Sequence, residues 1–387
     1  MDYFLSEEQK MLREMARTVA EEKIRPVAAK YDQVGEFPWE IVKILADMDF
    51  FRVWIEEKYG GMGGGVLDLV LVTEELSRAC GGIALALAGT ALGAFPILIA
   101  GNEEQKARYL PRLASGEALA AFGLTEPEAG SDAEAIRTTA RRDGDYYVLN
   151  GTKHFITNGG VAKIYTVIAM TDPARGGRGA SAFIVEEGMP GFSYGKKEDK
   201  MGIRASATCE LIFEDCRVPK ENLLGKEGHG FIIAMKTLDK SRPGVAAQAL
   251  GIAQGAFDLA VSYARQRHQF GQPIIAFQAL QHMLADMATQ IEAARALIYS
   301  VARYIDSGAT DIAKVSAMTK VFASDVAMRV TTDAVQIFGG YGYMREYPIE
   351  KYMRDAKITQ IYEGTNQIQR NVIGRSLIRE SAKHARS

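Results

Sequence analysis

Apolar residues recur at three- and four-residue spacing from Ser6 to about Leu113, first at Met11, Met15, Val19 and Ile24, a period that predicts amphipathic helices. Ser6, with Glu8 and Gln9 behind it, is the expected N-terminal cap. Breaks at Gly35-Glu36-Phe37-Pro38, at Tyr59 to Gly65 and at Ala114-Ser115-Gly116 punctuate a helical bundle. From about Ala121 to Phe231 the pattern changes to short β-rich runs, Tyr146 to Leu149, Ile164 to Ile168 and Ala182 to Val185, separated by turns at Asp143-Gly144-Asp145 and Asn158-Gly159-Gly160. The helical period then returns in Ala-rich segments, Val245 to Arg267, Phe277 to Ser307 and Ile312 to Phe338. The expected fold is α+β. An N-terminal helical bundle covers 1–120, a middle antiparallel β-domain 121–231, and a C-terminal four-helix-type bundle 232–387. No Ser/Pro-rich linker separates them, so a ligand is expected between tightly packed parts.

Ala79 to Gly101 carries no charged residue over a length that could cross a bilayer. It is full of Gly and Ala, contains Pro96 and stands alone, and it reads as a helix buried on all sides rather than a membrane span. Whatever that helix faces is uncharged.

The bulk numbers narrow the function classes. A chain of 387 residues exceeds what one core usually supports. With 47% hydrophobic and 24% charged residues it is neither disordered nor fibrous. Its net charge of -2, with no basic stripe, argues against nucleic acid as a partner. The three cysteines form no CxxC pair, which points to a reducing compartment, and the five histidines form no metal-binding motif. The acidic start, Met1 to Glu8, lacks signal or transit character. A bacterial cytoplasm is expected, although a processed mitochondrial matrix protein would read alike.

Familiar catalytic motifs are missing. Gly61-Met62-Gly63-Gly64-Gly65-Val66 fails GxGxxG at its last position, and Gly130-Ser131 does not sit in a GxSxG elbow. What remains is neutral and polar. Phe122-Gly123-Leu124-Thr125-Glu126-Pro127-Glu128-Ala129-Gly130-Ser131-Asp132 opens the middle domain, and Lys153-His154-Phe155-Ile156-Thr157-Asn158-Gly159-Gly160 follows a strand within it. Each offers backbone amides, a threonine hydroxyl and an aromatic face, which suits a planar redox-active ring. Near the C-terminus, Ile361 to Arg370 sets Glu363 beside Gly364 and follows them with Thr365, Asn366 and Gln367. That is a candidate base beside neutral hydrogen-bonding groups; a solvated loop before a helix is the plainer alternative.

These segments resemble, in order and spacing, those of the acyl-CoA dehydrogenase family. Arg265 to Ile274, Gln336 to Gly342 and Tyr352 to Lys357 continue the resemblance over nearly the whole chain. The resemblance implies FAD between the middle domain and the second bundle, with its adenine dinucleotide part reaching a neighbouring subunit of a homotetramer. It implies that Thr125 and Thr157 bond the flavin ring and that Phe155 lies against it, with Phe122, Leu124, Gly130 and Ile156 adjoining. Ser131 would bond a phosphate or the thioester ligand. Arg267, Gln269, Phe270, Gln278, Gln336, Gly339, Gly340, Thr365 and Gln367 would complete the dinucleotide site.

By the same resemblance Glu363 is the base that removes the proton α to a thioester carbonyl while the β-hydrogen leaves as hydride to flavin N5. Its backbone N–H and a flavin ribose hydroxyl would polarise that carbonyl. An apolar pocket should raise its pKa. Some family members carry the base in the region aligned with Leu238 to Arg242, where this chain has no glutamate. Asp239, Ser241 and Arg242 there resemble ligands of the CoA part, although Arg242 could equally lock its helix by a salt bridge. Thr90 and Gly364 complete the expected acyl-CoA site. Glu128 replaces a usual glycine, and Phe155 a frequent tryptophan. The resemblance leans to a neutral acyl group of the short-chain, butyryl-CoA type, with branched or alicyclic acids as alternatives, and to electron-transfer flavoprotein as acceptor. A flavin oxidase on the same fold, using dioxygen, is the competing reading.

Overall fold

A computed structural model describes residues 1 and 3–384. Helix α1 (Glu7–Val19) starts at Ser6, whose hydroxyl accepts from Gln9 N while the Gln9 side chain accepts from Ser6 N, a reciprocal cap. It runs through a π-helical turn into α2 (Arg25–Val34), which stops at Gly35, and α3 (Trp39–Asp47) follows the expected break. Helix α4 (Val66–Ala79) is buried on both sides. Leu69, Val72 and Leu76 enter the core shared with the sheet, and Val66, Leu67, Val70 and Leu71 enter the core of the C-terminal bundle. Helices α5 (Gly81–Ala100) and α6 (Glu103–Ala114) complete this part.

The middle domain is an eight-stranded sheet of β1 (Ala120–Gly123), β2 (Thr139–Asp143), β3 (Tyr146–Thr157), β4 (Ile164–Met170), β5 (Ala180–Glu186), β6 (Phe192–Lys197), β7 (Thr208–Pro219) and β8 (Leu223–Leu224). It departs from the purely antiparallel expectation. β1 runs parallel to β4, Ala120 opposite Ile164 and Gly123 opposite Val167, because the chain enters the sheet directly from α6 rather than through a hairpin. The segment expected to follow a strand is also different. Lys153 to Thr157 is the end of β3, kept in the sheet by an irregularity against β7 between Lys153 and Ile156. That irregularity sets Phe155 at φ 58° and turns its ring out of the sheet, 61% exposed.

The C-terminal bundle contains α7 (Gly230–Gln266), α8 (Gln278–Asp306), α9 (Ala313–Phe338), α10 (Ile349–Thr359) and α11 (Asn366–His384), with a two-residue-strand hairpin, β9 (His268–Gln269) and β10 (Gln272–Pro273), between α7 and α8. Helix α7 continues through Pro243 and starts well before the Val245 expected from periodicity. Helices α5 and α7 are both long and apolar enough to cross a membrane, and both are mostly buried within the fold.

Two close contacts fix α5 against the sheet. A Cβ at Gly93 would lie 2.5 Å from the Ala121 nitrogen, so glycine there allows α5 to press on β1. The buried Asn158 amide, just past β3, donates to Ala86 O at 3.3 Å, Thr90 Oγ1 at 3.3 Å and Ala120 O at 3.2 Å.

Candidate active site

Where α5, the end of β3, α7 and α11 converge they enclose a cavity of about 560 Å³. Helix α5 contributes Leu85, Ala88, Gly89, Leu92 and Phe95, none of them charged. The opposite side carries Thr125, Ser131, Phe155 and Thr157, together with Phe122, Leu124 and Gly130. Three hydroxyls and one exposed ring line this side together with the exposed Asp132 and Glu134, and the buried charge behind it is paired. The Lys153 ammonium is fully buried and donates to Leu124 O at 3.1 Å and Glu126 Oε1 at 2.6 Å. Glu126 also accepts from the N–H groups of Arg137 and Thr138. Burial pulls Lys153 down to about 8 against the pull of that carboxylate. The ion pair braces the turn that carries Thr125, and His154 N adds a 2.8 Å bond to Thr125 O. An uncharged planar heterocycle fits such a surface.

Glu363 and Gly364 close the cavity on the bundle side. Both adopt left-handed backbone, φ 50° and 87°, a geometry costly for a side chain and found where a neighbouring structure enforces it. Here the enforcing groups are Gln369, whose Nε2 donates to Glu363 O at 3.0 Å and Gly364 O at 2.9 Å, and Lys320, whose Nζ donates to Gly364 O at 2.8 Å. A Cβ at Gly364 would meet Gln369 Nε2 at 2.6 Å. Among the described residues the Glu363 N–H donates to no backbone carbonyl.

The Glu363 carboxylate accepts a short hydrogen bond from the Ser241 hydroxyl of α7. Burial raises its pKa, opposed by the Ser241 bond and by the Arg242 and Lys320 cations. Burial is the larger effect, so the group holds a proton more readily than an ordinary glutamate. Beside it the Tyr362 hydroxyl donates to Gln248 Oε1, and Gln248 Nε2 donates to Gly81 O at 2.9 Å, linking the loop to the start of α5.

The sequence-predicted residues fall into three sets. Phe122, Leu124, Thr125, Gly130, Ser131, Phe155, Thr157, Ser241, Arg242, Glu363 and Gly364 line one cavity. Arg267, Gln269, Gly339 and Gly340 line a separate hollow of about 550 Å³ beside the hairpin, with the Arg267 guanidinium 5.3 Å from the Tyr341 ring centre. Phe270, Gln278 and Gln336 are exposed near it. The third set does not line either space. Ile156 is buried within β3, and Thr90 donates to Ala86 O. Asp239 pairs with Arg242 at 2.6 Å, which is the helix-locking arrangement. Thr365 accepts from Ile368 N as the cap of α11, while Gln367 is exposed. Glu128 pairs with Arg137 at 2.7 Å on the outer surface. Sequence reasoning missed Lys153, Gln248, Lys320 and Gln369. For Lys320 one signal existed, a lone cation between small and apolar residues of an Ala-rich helix.

This architecture, three packed units around a cavity with an uncharged α5 wall and the buried Glu363 carboxylate opposite it, is that of a flavin-dependent dehydrogenase acting on a thioester. The family models of the acyl-CoA dehydrogenase N-terminal, middle and C-terminal domains match residues 6–117, 121–216 and 228–378, and the chain belongs to this family of FAD-dependent oxidoreductases. It is 51% identical to the short-chain specific acyl-CoA dehydrogenase of Clostridium acetobutylicum over 98% of this chain and 100% of that one. The structure of butyryl-CoA dehydrogenase from Megasphaera elsdenii superposes with a TM-score of 0.95 at 51% identity, covering 98% and 100% of the two chains. A chain from the structural study of the electron transferring flavoprotein of Acidaminococcus fermentans superposes with a TM-score of 0.96 at 55% identity, with the same coverage.

Proposed function

We propose that this enzyme oxidises a neutral short-chain acyl-CoA to the 2-enoyl-CoA, with Glu363 as the base, and passes the electrons to an electron-transfer flavoprotein. The observation that carries this reading is a buried carboxylate, raised in pKa by burial, facing an uncharged cavity wall on α5. Glu363 removes the proton from the carbon next to the thioester carbonyl, and its free N–H is available to polarise that carbonyl. FAD held against Phe155 and the two threonines would supply the acceptor for the β-hydrogen as hydride. Thr125 and Thr157 would hold the ring, Phe155 would cover it, and Ser131 would bond a phosphate or the thioester. Ser241 donates to the carboxylate and keeps it aimed into the cavity. Arg267, Gln269, Gly339 and Gly340 would bind the dinucleotide of a neighbouring subunit, a role that makes a homotetramer part of the cofactor site.

The short-chain assignment rests on the names of the relatives and on the uncharged wall, which offers no cation for a second carboxylate on the acyl tail. A bacterial cytoplasmic setting agrees with the bacterial relatives and with three free, buried cysteines. The test is an anaerobic titration with butyryl-, isobutyryl-, 2-methylbutyryl-, octanoyl- and cyclohexanecarboxyl-CoA while the flavin band is followed. Bleaching by butyryl-CoA ahead of the others is expected. Preference for a branched or alicyclic thioester would replace the substrate assignment, and rapid reoxidation by air would replace the acceptor by dioxygen.

A further inference from the structure

Resting on that reading, we propose that Lys320 is a positioning residue for proton abstraction: its buried ammonium clamps the Gly364 carbonyl and its charge favours the ionised form of Glu363. Three observations carry this. Lys320 is fully buried in α9, a place where a cation is found only with firm partners. Its Nζ donates to Gly364 O at 2.8 Å and to Asn366 Oδ1 at 2.9 Å, so one group grips the chain on both sides of Thr365. The gripped backbone is the left-handed pair Glu363 and Gly364, which has no helix or strand of its own to hold it.

The charged groups facing Lys320 are few. They are Glu363 on the loop, Arg242 of α7, which is paired with Asp239, and Asp325 of α9 itself, which is paired with Arg370 of α11. No charged group of α10 acts on it. Arg242 and Asp325 each have a nearer partner of opposite sign, which leaves Glu363 as the carboxylate without its own ion pair. Burial lowers Lys320 to about 7, with Glu363 pulling the other way. Gln369 holds the same Gly364 carbonyl, and that of Glu363 beside it, without a charge, and the pair of clamps therefore separates geometry from electrostatics.

The experiment compares wild type, Lys320→Met, Lys320→Gln and Gln369→Met by anaerobic stopped-flow reduction with butyryl-CoA across pH. FAD absorbance and Tm serve as checks on folding and loading, and Lys320→Gln, which can still donate to Gly364 O, keeps the test open where Lys320→Met fails to fold. Both Lys320 variants are expected to slow flavin reduction at saturating substrate about 10- to 100-fold, with little change in the half-saturating concentration. They should also move the acid limb of the rate profile up by about one pH unit, because removal of a cation makes Glu363 harder to ionise. Gln369→Met should slow reduction with the limb unmoved. FAD-loaded Lys320 variants that reduce at the wild-type rate, or that slow with an unmoved limb, overturn the proposal. Wild type that no acyl-CoA bleaches overturns the dehydrogenase reading instead.

Discussion

The Glu363 cavity and the hollow around Arg267 are about equal in volume but opposite in finish. In the first, polar groups at the reacting centre are already engaged: Ser241 with Glu363, Lys320 and Gln369 with the loop, Lys153 with Glu126. In the second, Gln269, Gly339 and Gly340 are exposed, and Phe270 extends into solvent at 92% exposure. One chain completes the first site, while the second has the open, amphipathic character of a surface awaiting another molecule. On the proposed function, chemistry and cofactor retention are separable: the enclosed region should govern rate, and the open one should govern how firmly the dinucleotide stays.

The largest effect that tests this division is Glu363→Gln. It should leave FAD absorbance and thioester binding intact while slowing flavin reduction about 100- to 10,000-fold, read by anaerobic stopped flow; reduction at an undiminished rate would move the base elsewhere. Gly364→Ala comes next. A methyl at φ 87°, 2.6 Å from Gln369 Nε2, must displace the loop, and a fall in reduction rate of about 10- to 100-fold is expected with thioester affinity changed less. Arg267→Ala should act in the other region, raising the Kd for FAD about 10-fold through loss of a charged hydrogen-bond donor. Freshly loaded protein should reduce at the wild-type rate. A slowed chemical step in that variant would erase the division.

A smaller test uses stability. Because the Glu363 pKa is raised on folding, its contribution favours the folded state at pH below the ordinary carboxylate value and is lost as pH rises through the raised one. Glu363→Gln should therefore raise Tm by about 2 °C at pH 8, and the gain should vanish near pH 4. Smallest of all is Glu128→Gly. The Glu128 to Arg137 pair is exposed on both sides, and its removal should leave Tm and the flavin spectrum unchanged within error.

Much of this was legible in the chain because local patterns decide it. The cap at Ser6, the buried α5 and the breaks at Gly35 and Ala114 follow from residue type and period alone. Parallel pairing of β1 with β4 was not, since register across 40 residues leaves no trace in the alternation of either strand. Pro243 marks a break by the usual rule, yet α7 passes through it because its first half is buried in the core shared with the sheet and its second in the core of the bundle. In the site, Glu363 and Ser241 stood out in the sequence, but the contact between them, and those of Lys320 and Gln248 with the loop, span 122, 44 and 114 positions. Thr365 was read as a cofactor contact, and in the fold its side chain caps α11, while Asn366 beside it is tied to Asp325 of α9. Polar residues beside Glu363 serve the fold first.

The Asn158 amide has a consequence for how this enzyme can diversify. It ties the helix proposed to wall the acyl tail to the strand end that carries Thr157, so the two sides of the cavity form one jaw. Sliding α5 to admit a longer tail would drag the flavin side with it. New acyl specificities are therefore open to this scaffold by exchanging side chains at places such as Ala88 and Leu92, and closed to it by moving the helix.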